Sequence, residues 1–543
     1  MHLDHDRLRG ASSVAAASRL PRMRPPSLLA LAALLAAGHA TAAERIDPAL
    51  IERAYDTAAI KLANHDDRFD MVSGDVFPDE AADNQWHVVD ARNWASGFYP
   101  GALWMMYEHA GEPQWRARAE KWTAGLEGQQ HNTRTHDVGF MILGSFGQGH
   151  RLLDQADPLR DSYEGVILTA AESLSSRYVP EPGTIRSWNT PSDVRVIIDN
   201  MMNLDLLFWA DQRGGSSDAP DGSSLYDIAI THANTTLAYH VRADGSTYHV
   251  VDFDENTGQV IDKLTVQGKS DDSTWARGQA WGLYGFTTTY RHTRHDQAID
   301  PQRYLDAARS LADYWIDHVP DDGVPWVDFD SAFTDDVHDH GNRDASAAAI
   351  ASAGLLQLSQ LVDDPLESHR YFREAEQLLG TLLQEPYFSA DPDVSPSLLL
   401  HASRDYQFSA PGGSDISYIW ADYYLLESLH QYQAITADLL GDMNLDGLLD
   451  AADVAPFVLA LTDPQAYEDQ YDSDPLLVGD INGDGVLDAV DVAPFVQMLV
   501  GSDGVASVPE PGSLGMLGLG GLMLLRRRAT STSARATRSS KPG

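Results

Sequence analysis

Val194-Arg195-Val196-Ile197-Ile198-Asp199-Asn200-Met201-Met202-Asn203-Leu204 runs through the middle of the chain with only two charged side chains, and Leu206-Leu207-Phe208-Trp209 extends its apolar character. A helix that is apolar nearly all round is buried in a protein interior. The segment therefore predicts a buried helix over 194–209, packed among other helices.

Further apolar or amphipathic runs on both sides of this segment predict additional helices. They include Ile60/Leu62, Leu103–Tyr107, Ile167–Leu174, Leu305–Tyr314 and Ala345–Leu361. At ordinary helix lengths, the roughly 395 residues from about 45 to 438 divide into about a dozen helix-plus-loop units. This number fits an all-α fold of six helical hairpins, although the pattern alone leaves a mixed helix-and-strand fold open.

Asp199 places a carboxyl group within the apolar segment. Burial disfavours the charged form, so we expect the pKa of Asp199 to be raised. A carboxyl group titrating near neutrality can donate a proton and take one back. Asn203, four residues further on, should share its helix face. The alternative is a structural aspartate that caps or bridges another helix.

Two further groups of residues could bind a sugar. Asp137, within His136-Asp137-Val138-Gly139-Phe140, is expected at a loop or helix start, with a plain surface loop as the alternative. In Thr265–Gly282, Asp272 or Ser273 is a suitable N-cap. That cap would place Trp275, Arg277 and Trp281 in the first helical turns, with indoles to stack on sugar rings and a guanidinium to grip a carboxylate. Aromatic core packing with Arg277 in a salt bridge is the alternative.

The charge of the chain is strongly acidic, at −42 over 543 residues. The first 43 residues and the last 18 are both basic, which leaves about −51 on the body between them. Such a body repels nucleic acid and long polyanions, so an anionic substrate needs a local basic group. The sequence contains no cysteine, which excludes disulfides, thiolate catalysis and zinc–thiolate sites.

Both ends of the chain predict processing and export. Arginines precede an apolar run from Leu28 to Ala37, and Ala40-Thr41-Ala42 follows, which is the order of a secretory signal peptide over residues 1–43. Within 504–543, Val508-Pro509-Glu510-Pro511, an apolar stretch and three arginines resemble a PEP-CTERM sorting tail. We therefore expect an envelope, periplasmic or extracellular protein of a Gram-negative bacterium, handled by envelope sorting machinery.

Residues 439–503 contain an internal repeat of about 38 residues, in which each copy carries an acidic loop before an apolar helix. Oxygen ligands at the spacing of these loops suit Ca²⁺. The candidate ligands are Asp442, Asn444, Asp446, Asp450 and Asp453 in the first loop and Asp480, Asn482, Asp484, Asp488 and Asp491 in the second. The duplication resembles a dockerin, a resemblance that implies bound Ca²⁺ and a possible cohesin-like protein partner.

Five motifs of residues 44–438 occur in the order found in one known family. They are Asn93-Trp94-Ala95-Ser96-Gly97-Phe98-Tyr99-Pro100-Gly101, His136–Phe140, Ile198–Asn203, Trp275-Ala276-Arg277-Gly278-Gln279 and Ala421-Asp422-Tyr423-Tyr424-Leu425-Leu426-Glu427. Together they resemble the unsaturated glucuronyl hydrolases, glycoside hydrolase family 88. The resemblance implies an (α/α)6 barrel with its site in a funnel at one end.

The resemblance also implies the reaction and its residues. These enzymes hydrate the C4=C5 bond of a terminal unsaturated uronate on lyase-cut oligosaccharides, and the chemistry needs no metal or organic cofactor. Asp199 would be the general acid and base, and Asp137 would hold ring hydroxyls. The remaining predicted substrate-binding residues are Trp94, His136, His249, Gln267, Trp275, Arg277 and Trp281.

One departure from the family concerns sulfated sugars. Many relatives carry a basic His-Lys-Pro-type loop near the end of the barrel domain, whereas Leu400–Gly413 of this chain lacks the lysine. A preference for sulfated sugars is therefore in doubt. Two other functions compete with the prediction: an unsaturated rhamnogalacturonyl hydrolase acting on pectin fragments, and a non-catalytic carbohydrate-binding barrel.

Overall fold

The computed structural model describes residues 46–502, except for 70–75, 83, 191–192, 332–341, 407–415, 446–448, 472–474 and 483–485. The predicted signal peptide and the PEP-CTERM-like tail lie outside the described residues. So do the candidate calcium ligands Asp446 and Asp484.

Twelve long helices alternate between an outer and an inner layer in the described part of residues 46–439. In chain order they are α1 (Pro48–Arg68), α2 (Phe98–Ala110), α3 (Pro113–Ala124), α4 (Val138–Ile142 and Gln148–Leu152, joined by a π turn at Leu143–Gly147), α5 (Pro158–Ser175), α6 (Asn200–Asp211), α7 (Leu225–Tyr239), α8 (Ala276–Thr293), α9 (Gln302–His318), α10 (Ala345–Ser359), α11 (Pro365–Leu382) and α12 (Ile419–Leu439). The odd-numbered helices form the outer layer.

The six even-numbered helices close into a ring, because each contacts the next and α12 returns to contact α2. They are mostly buried, and two thirds of α10 is Ala, Ser and Gly, whose small side chains allow close packing. Three outer helices begin with an Asp-Pro pair, at Asp47, Asp157 and Asp364. In each pair the aspartate accepts a hydrogen bond from a backbone N–H of the first turn, while proline starts the helix. The predicted helical barrel is confirmed.

Eight short strands within the described residues add to the barrel. They are β1 (Phe77–Ala82), β2 (Gln85–Val89), β3 (Tyr178–Val179), β4 (Thr184–Ile185), β5 (Asp193–Ile197), β6 (Val250–Asp254), β7 (Val260–Leu264) and β8 (Ser417–Tyr418). They form three antiparallel sheets, in the orders β2-β1-β8, β3-β4 and β5-β6-β7. The sheets connect the hairpins of a mostly helical chain.

The prediction of one continuous helix over 194–209 is wrong in its first part. Residues 193–197 form β5, a turn follows, and α6 begins only at Asn200. Val194 and Val196 are buried, whereas Arg195 pairs across the sheet with Asp252, at 2.6 Å between Nη2 and Oδ2. This alternation is that of a strand, and it leaves Asp199 in the turn before a helix rather than inside one.

The predicted start of α8 is also wrong. Trp275 is the N-cap residue, without a capping side-chain hydrogen bond, and the helix begins at Ala276. Neither Asp272 nor Ser273 caps it, because Ser273 Oγ donates instead to Asp328 Oδ2 at 2.7 Å. Arg277 and Trp281 lie in the first two turns as predicted.

The C-terminal repeat folds into α13 (Val454–Thr462), α14 (Pro464–Tyr471), α15 (Pro475–Gly479) and α16 (Val492–Ser502). Phe457 and Phe495, at equivalent positions of the two copies, stack with ring centres 4.0 Å apart. α15 contacts α12, so the small core of the repeat is continuous with that of the barrel. In the part of the chain that the structure describes, every helix is too short or too polar to cross a bilayer.

Candidate active site

The N-terminal ends of all six inner helices meet at one end of the barrel, and the predicted site residues lie there. Backbone N–H groups give each helix start a partial positive charge. In a strongly acidic protein, these converging helix starts make one region favourable for an anion. The residues at the helix starts are Trp94 before α2, Asp137 before α4, Asp199 before α6, Trp275 before α8, Asp344 before α10 and Trp420 in α12.

Asp199 is the most strongly perturbed acid at this end. Burial raises its pKa from 3.8 to about 7, against the opposing positive charge of Arg277. The negative charge of Asp137 raises the pKa further. The predicted direction of the shift is therefore confirmed. At neutral pH a large fraction of Asp199 carries a proton.

His249 lies beside Asp199 as a neutral imidazole. Burial lowers the pKa of His249 well below its usual value, and nearby cations, Arg277 among them, add to the effect. Its Nδ1 accepts the backbone N–H groups of Val266 and Gln267, both at 3.3 Å, so Nε2 carries the hydrogen. Nε2 lies 4.0 Å from Asp199 Oδ2. His249 therefore presents an N–H donor next to the proton-carrying carboxyl.

Asp137 is held at the start of α4 by its neighbours. Its carboxylate accepts the Thr135 hydroxyl, and His136 Nε2 lies 3.2 Å from its Oδ1. Gly139 lets α4 approach α6 closely: a Cβ there would lie 2.5 Å from Asn203 Oδ1. The same oxygen accepts the N–H of Phe140 at 3.1 Å. This contact brings Asp137 near enough to Asp199 for its charge to act there.

Aromatic side chains line the space between these helix starts. The ring centre of Trp94 lies 4.7 Å from that of Trp420 and 5.6 Å from that of Phe140, which in turn lies 5.1 Å from Trp281. Trp94 is half-buried and can offer a face to a sugar. Trp275 and Trp281 are fully buried, as in aromatic core packing. The indole N–H of Trp281 nevertheless points to Asp199, where its attraction for the carboxylate opposes the rise in the pKa of that group.

Several buried polar atoms at this end have no hydrogen-bond partner among the described residues. They include Asp199 Oδ2, His249 Nε2, Trp275 Nε1, Trp281 Nε1 and Trp420 Nε1. Buried polar atoms in native proteins are almost always paired, so a group of unpaired ones indicates a site that a polar ligand or water completes. A sugar, with hydroxyls on every side, provides such partners.

Arg277 is held by protein groups, so the predicted bidentate grip on a substrate carboxylate stays a prediction. Its Nη1 donates to Asp344 Oδ2 at 3.0 Å and to the Ser403 carbonyl, and its Nη2 donates to the Arg404 carbonyl. Arg277 and Asp344 are both buried, which matches the salt-bridge alternative. The guanidinium therefore acts on Asp199 through its charge.

Gln267 lies at the rim of the site, half-buried. Its Nε2 donates to the Arg404 carbonyl at 3.0 Å, and its own carbonyl accepts the N–H of Tyr406 at 2.7 Å. Gln267 thus anchors the described part of the segment in which the family lysine is missing.

Comparison with known proteins agrees with the geometry. A Formosa agariphila protein named unsaturated glucuronyl hydrolase is 38% identical over 354 residues, which cover 64% of this chain and 82% of the relative. A Streptococcus pyogenes protein named unsaturated chondroitin disaccharide hydrolase is 32% identical over 386 residues, covering 69% and 90%. The chain belongs to the unsaturated glucuronyl hydrolases.

Solved structures of unsaturated glucuronyl hydrolases share the fold. The crystal structure of one that is specific for heparin matches with a TM-score of 0.63 and 33% identity, covering 72% of this chain and 98% of that chain. No protein-family model matches the sequence.

Three residues at the site were not predicted from the sequence. Asp344 holds Arg277, Trp420 packs on Trp94, and Asn200 is a fully buried amide whose Nδ2 donates to the Ile185 carbonyl at 2.7 Å. Asn200 follows Asp199 directly and Trp420 stands two residues before Asp422, so both lie in or beside quoted motifs of the unsaturated glucuronyl hydrolases. Asp344 has no such local signal.

Proposed function

We propose that this unsaturated glucuronyl hydrolase uses Asp199 as the general acid and base that hydrates the C4=C5 bond of a terminal unsaturated uronate. The proposal rests on Asp199: it is buried, its pKa is raised to about 7, and its Oδ2 lies 4.0 Å from Nε2 of His249. A carboxyl in that state is protonated when substrate arrives and ready to act at neutral pH.

The reaction balances with one proton cycling through Asp199. The carboxyl gives its proton to C4, and a water molecule adds its oxygen to C5 while returning a proton to the carboxylate. The product is a hemiketal at C5. Ring opening then leaves a hemiacetal at C1, which expels the next sugar. The usual glycosidase scheme, with a second carboxylate at a set separation, is not required.

The neighbouring residues support this step in different ways. Asp137 would accept hydrogen bonds from ring hydroxyls, and the Nε2 hydrogen of neutral His249 would hold an acceptor oxygen beside Asp199. Half-buried Trp94 would stack on the sugar, while the charge of Arg277 keeps the pKa of Asp199 from rising further. Precise placement of this kind lowers the barrier without new chemistry.

Asp199→Asn tests the proposal. The variant should fold and lose turnover of an unsaturated disaccharide, measured as the loss of ultraviolet absorbance of the conjugated alkene–carboxylate. Asp205→Asn is a matched control: Asp205 is also on α6, but it pairs with Arg291 and His292 away from the site. Turnover in Asp199→Asn would refute the role. Wild-type protein that binds the disaccharide without consuming the alkene would instead show a non-catalytic barrel.

The parent polysaccharide is open to a direct test. The relatives compared above bear names that refer to glucuronyl, chondroitin and heparin substrates. We propose that this chain acts on unsaturated glucuronyl disaccharides. A panel of lyase products should show turnover of these before pectin-derived ones, and cleavage of a rhamnogalacturonan-derived disaccharide alone would favour the rhamnogalacturonyl alternative.

The C-terminal repeat supports a dockerin-like, calcium-binding module. Equivalent aspartates organise both loops: Asp453 accepts the backbone N–H groups of Asn444 and Asp450, and Asp491 accepts those of the matching residues. Among the described residues, no three acidic or histidine side chains gather as a metal site, and one candidate ligand of each loop lies outside them. Calcium binding therefore stays a prediction.

Calorimetric titration of Ca²⁺ into chelator-treated protein tests the module. We expect two bound ions and a higher melting temperature, because paired carboxylates that repel one another are neutralised. Asp442→Asn should leave one site, and the absence of any binding heat would contradict the proposal. A cohesin-like partner would then be sought with the calcium-loaded protein.

The charge and order of the two chain ends support export to the cell envelope. The expected result of fractionation is protein in the envelope or medium, shortened at both ends by mass spectrometry. Full-length protein in the cytoplasm would contradict this localisation.

A further inference from the structure

Arg177 is a buried cation that contacts no carboxylate among its described hydrogen-bond partners. It lies just after α5 and is 6% exposed. Its Nε donates to the Arg186 carbonyl at 2.9 Å, its Nη2 to the Ser187 carbonyl at 3.1 Å, and its Nη1 to the Thr133 carbonyl and to Asn189 Oδ1. Burying a charge without an ionic partner is costly, so this arrangement needs a reason.

One carbonyl that Arg177 holds lies in the segment that carries Asp137, and another belongs to Ser187, which bonds to the strand before Asp199. Thr133 is four residues before Asp137. Ser187 is bound to β5, which ends two residues before Asp199: its N–H donates to the Arg195 carbonyl at 2.8 Å and its Oγ accepts the N–H of Ile197 at 3.0 Å.

A further contact joins the two segments directly. The N–H of His136 donates to the Ser187 carbonyl at 3.3 Å, and Arg177 Nη2 donates to the same oxygen. The guanidinium therefore sits at the one carbonyl that both segments share. A planar fork with donors in fixed directions can hold three carbonyls at once, which a lysine cannot do.

The charge of Arg177 also reaches the site. The opposite charge that acts on it is that of Asp137, and its own positive charge disfavours protonation of His136. Asp137 and His136 thus lie near the positive charge of Arg177, which also binds the backbone carbonyls of Thr133 and Ser187.

We propose that Arg177 is a positioning residue for the hydration reaction: it fixes the spacing between the Asp137 and Asp199 segments and places a permanent positive charge behind Asp137. This inference rests on the proposed function, because it concerns the geometry of the same two carboxyl groups. Arg177 itself does not touch the reacting atoms.

A groove gives small molecules access to Arg177. It has a volume of 580 Å³, and its lining includes Arg177, Tyr178, Arg186, Asn189 and Asn256. Arg186 is a matched control in the same groove: it donates to the Asp193 carbonyl at 2.6 Å and to Glu255 at 2.8 Å, and none of its bonds reaches the Asp137 segment.

The test compares Arg177→Ala, Arg177→Lys and Arg186→Ala in the full-length protein. We expect kcat/KM for an unsaturated disaccharide to fall about 100-fold in Arg177→Ala, the loss associated with a displacement of about 1 Å at a reacting group. Millimolar guanidinium ion should restore at least about tenfold of that loss by occupying the vacated place. Arg186→Ala should stay within about threefold of wild type and gain nothing from guanidinium.

The pH profile separates positioning from plain destabilisation. The alkaline limb of kcat/KM belongs to Asp199, whose pKa is raised by the negative charge of Asp137. If Arg177 fixes the spacing of the two segments, Asp137 moves away in Arg177→Ala and the limb should move to lower pH. In Arg177→Lys kcat/KM should remain about tenfold low, because the charge is kept and the three-carbonyl clamp is lost.

Folded Arg177→Ala with wild-type kcat/KM and an unmoved limb would overturn the inference. If Arg177→Ala does not fold, Arg177→Lys decides: wild-type kcat/KM in that variant would overturn it. An inactive wild-type protein would refute the proposed function instead, so the two failures are distinguishable.

Discussion

Asp199→Asn should make the protein inactive and, at alkaline pH, more stable. Burial raises the pKa of Asp199 from 3.8 in the unfolded chain to about 7 in the native protein. Below pH 3.8 both states carry the proton and the shift costs nothing. Between the two values only the unfolded chain ionises, so native stability falls as pH rises. Above pH 7 the cost is complete, at about 4 kcal/mol for a shift of about 3 pH units at about 1.4 kcal/mol each.

Asparagine stays neutral and avoids this cost. At pH 5 only the first third of the interval between the two pKa values has been passed, so the variant should gain about 1–2 kcal/mol there and about 4 kcal/mol at pH 9. Denaturant unfolding of both proteins at pH 5, 7 and 9 measures the difference. In wild-type protein, kcat/KM should fall tenfold per unit above the pKa, because the proton donor is lost.

A pH-independent difference in stability between the two proteins would refute this reasoning. It would mean that Asp199 ionises normally in the native state and cannot serve as a proton donor near neutral pH. A variant less stable than wild type at pH 9 would show that the carboxylate is needed structurally, which is the capping or bridging alternative.

Three other predictions follow from buried groups. Burial raises the pKa of Glu427 on α12 from 4.5 to about 7, so Glu427→Gln should add about 3 kcal/mol to the free energy of unfolding at pH 8 and little at pH 5, measured by denaturant titration. Asp344→Asn should leave the charge of Arg277 unbalanced and shift the alkaline limb of kcat/KM to lower pH. Gly139→Ala should cost about 1–3 kcal/mol and most of the activity, because its Cβ has no room, whereas Gly128→Ala, with open space around its Cβ, should change neither.

The barrel could be predicted because its helices follow a local rule. Apolar spacing marks α2, α5, α9 and α10 without knowledge of their partners. The segment 193–197 fails that rule, since a short apolar run fits both a strand and a helix. Its strand state depends on pairing with β6, more than 50 residues further along, and a local pattern does not contain that partner.

The candidate site was also predictable in part. Asp199 stood out as an acid among apolar residues, and its raised pKa follows from burial alone. The sequence allowed a salt bridge for Arg277 but could not name its partner. Asp344 comes from a different hairpin and meets Arg277 only when the ring of inner helices closes. Likewise, that Trp275 and Trp281 are covered while Trp94 is half-open depends on which helix packs over each ring.

Helix α12 separates the active site from the C-terminal repeat. Its first turn carries Trp420 at the catalytic end, and its last residue, Leu439, is where the C-terminal repeat region begins. A helix of 21 residues is about 30 Å long. A protein bound to the repeat would therefore lie at the end of α12 opposite the active site, and it would leave the entrance for the sugar substrate open.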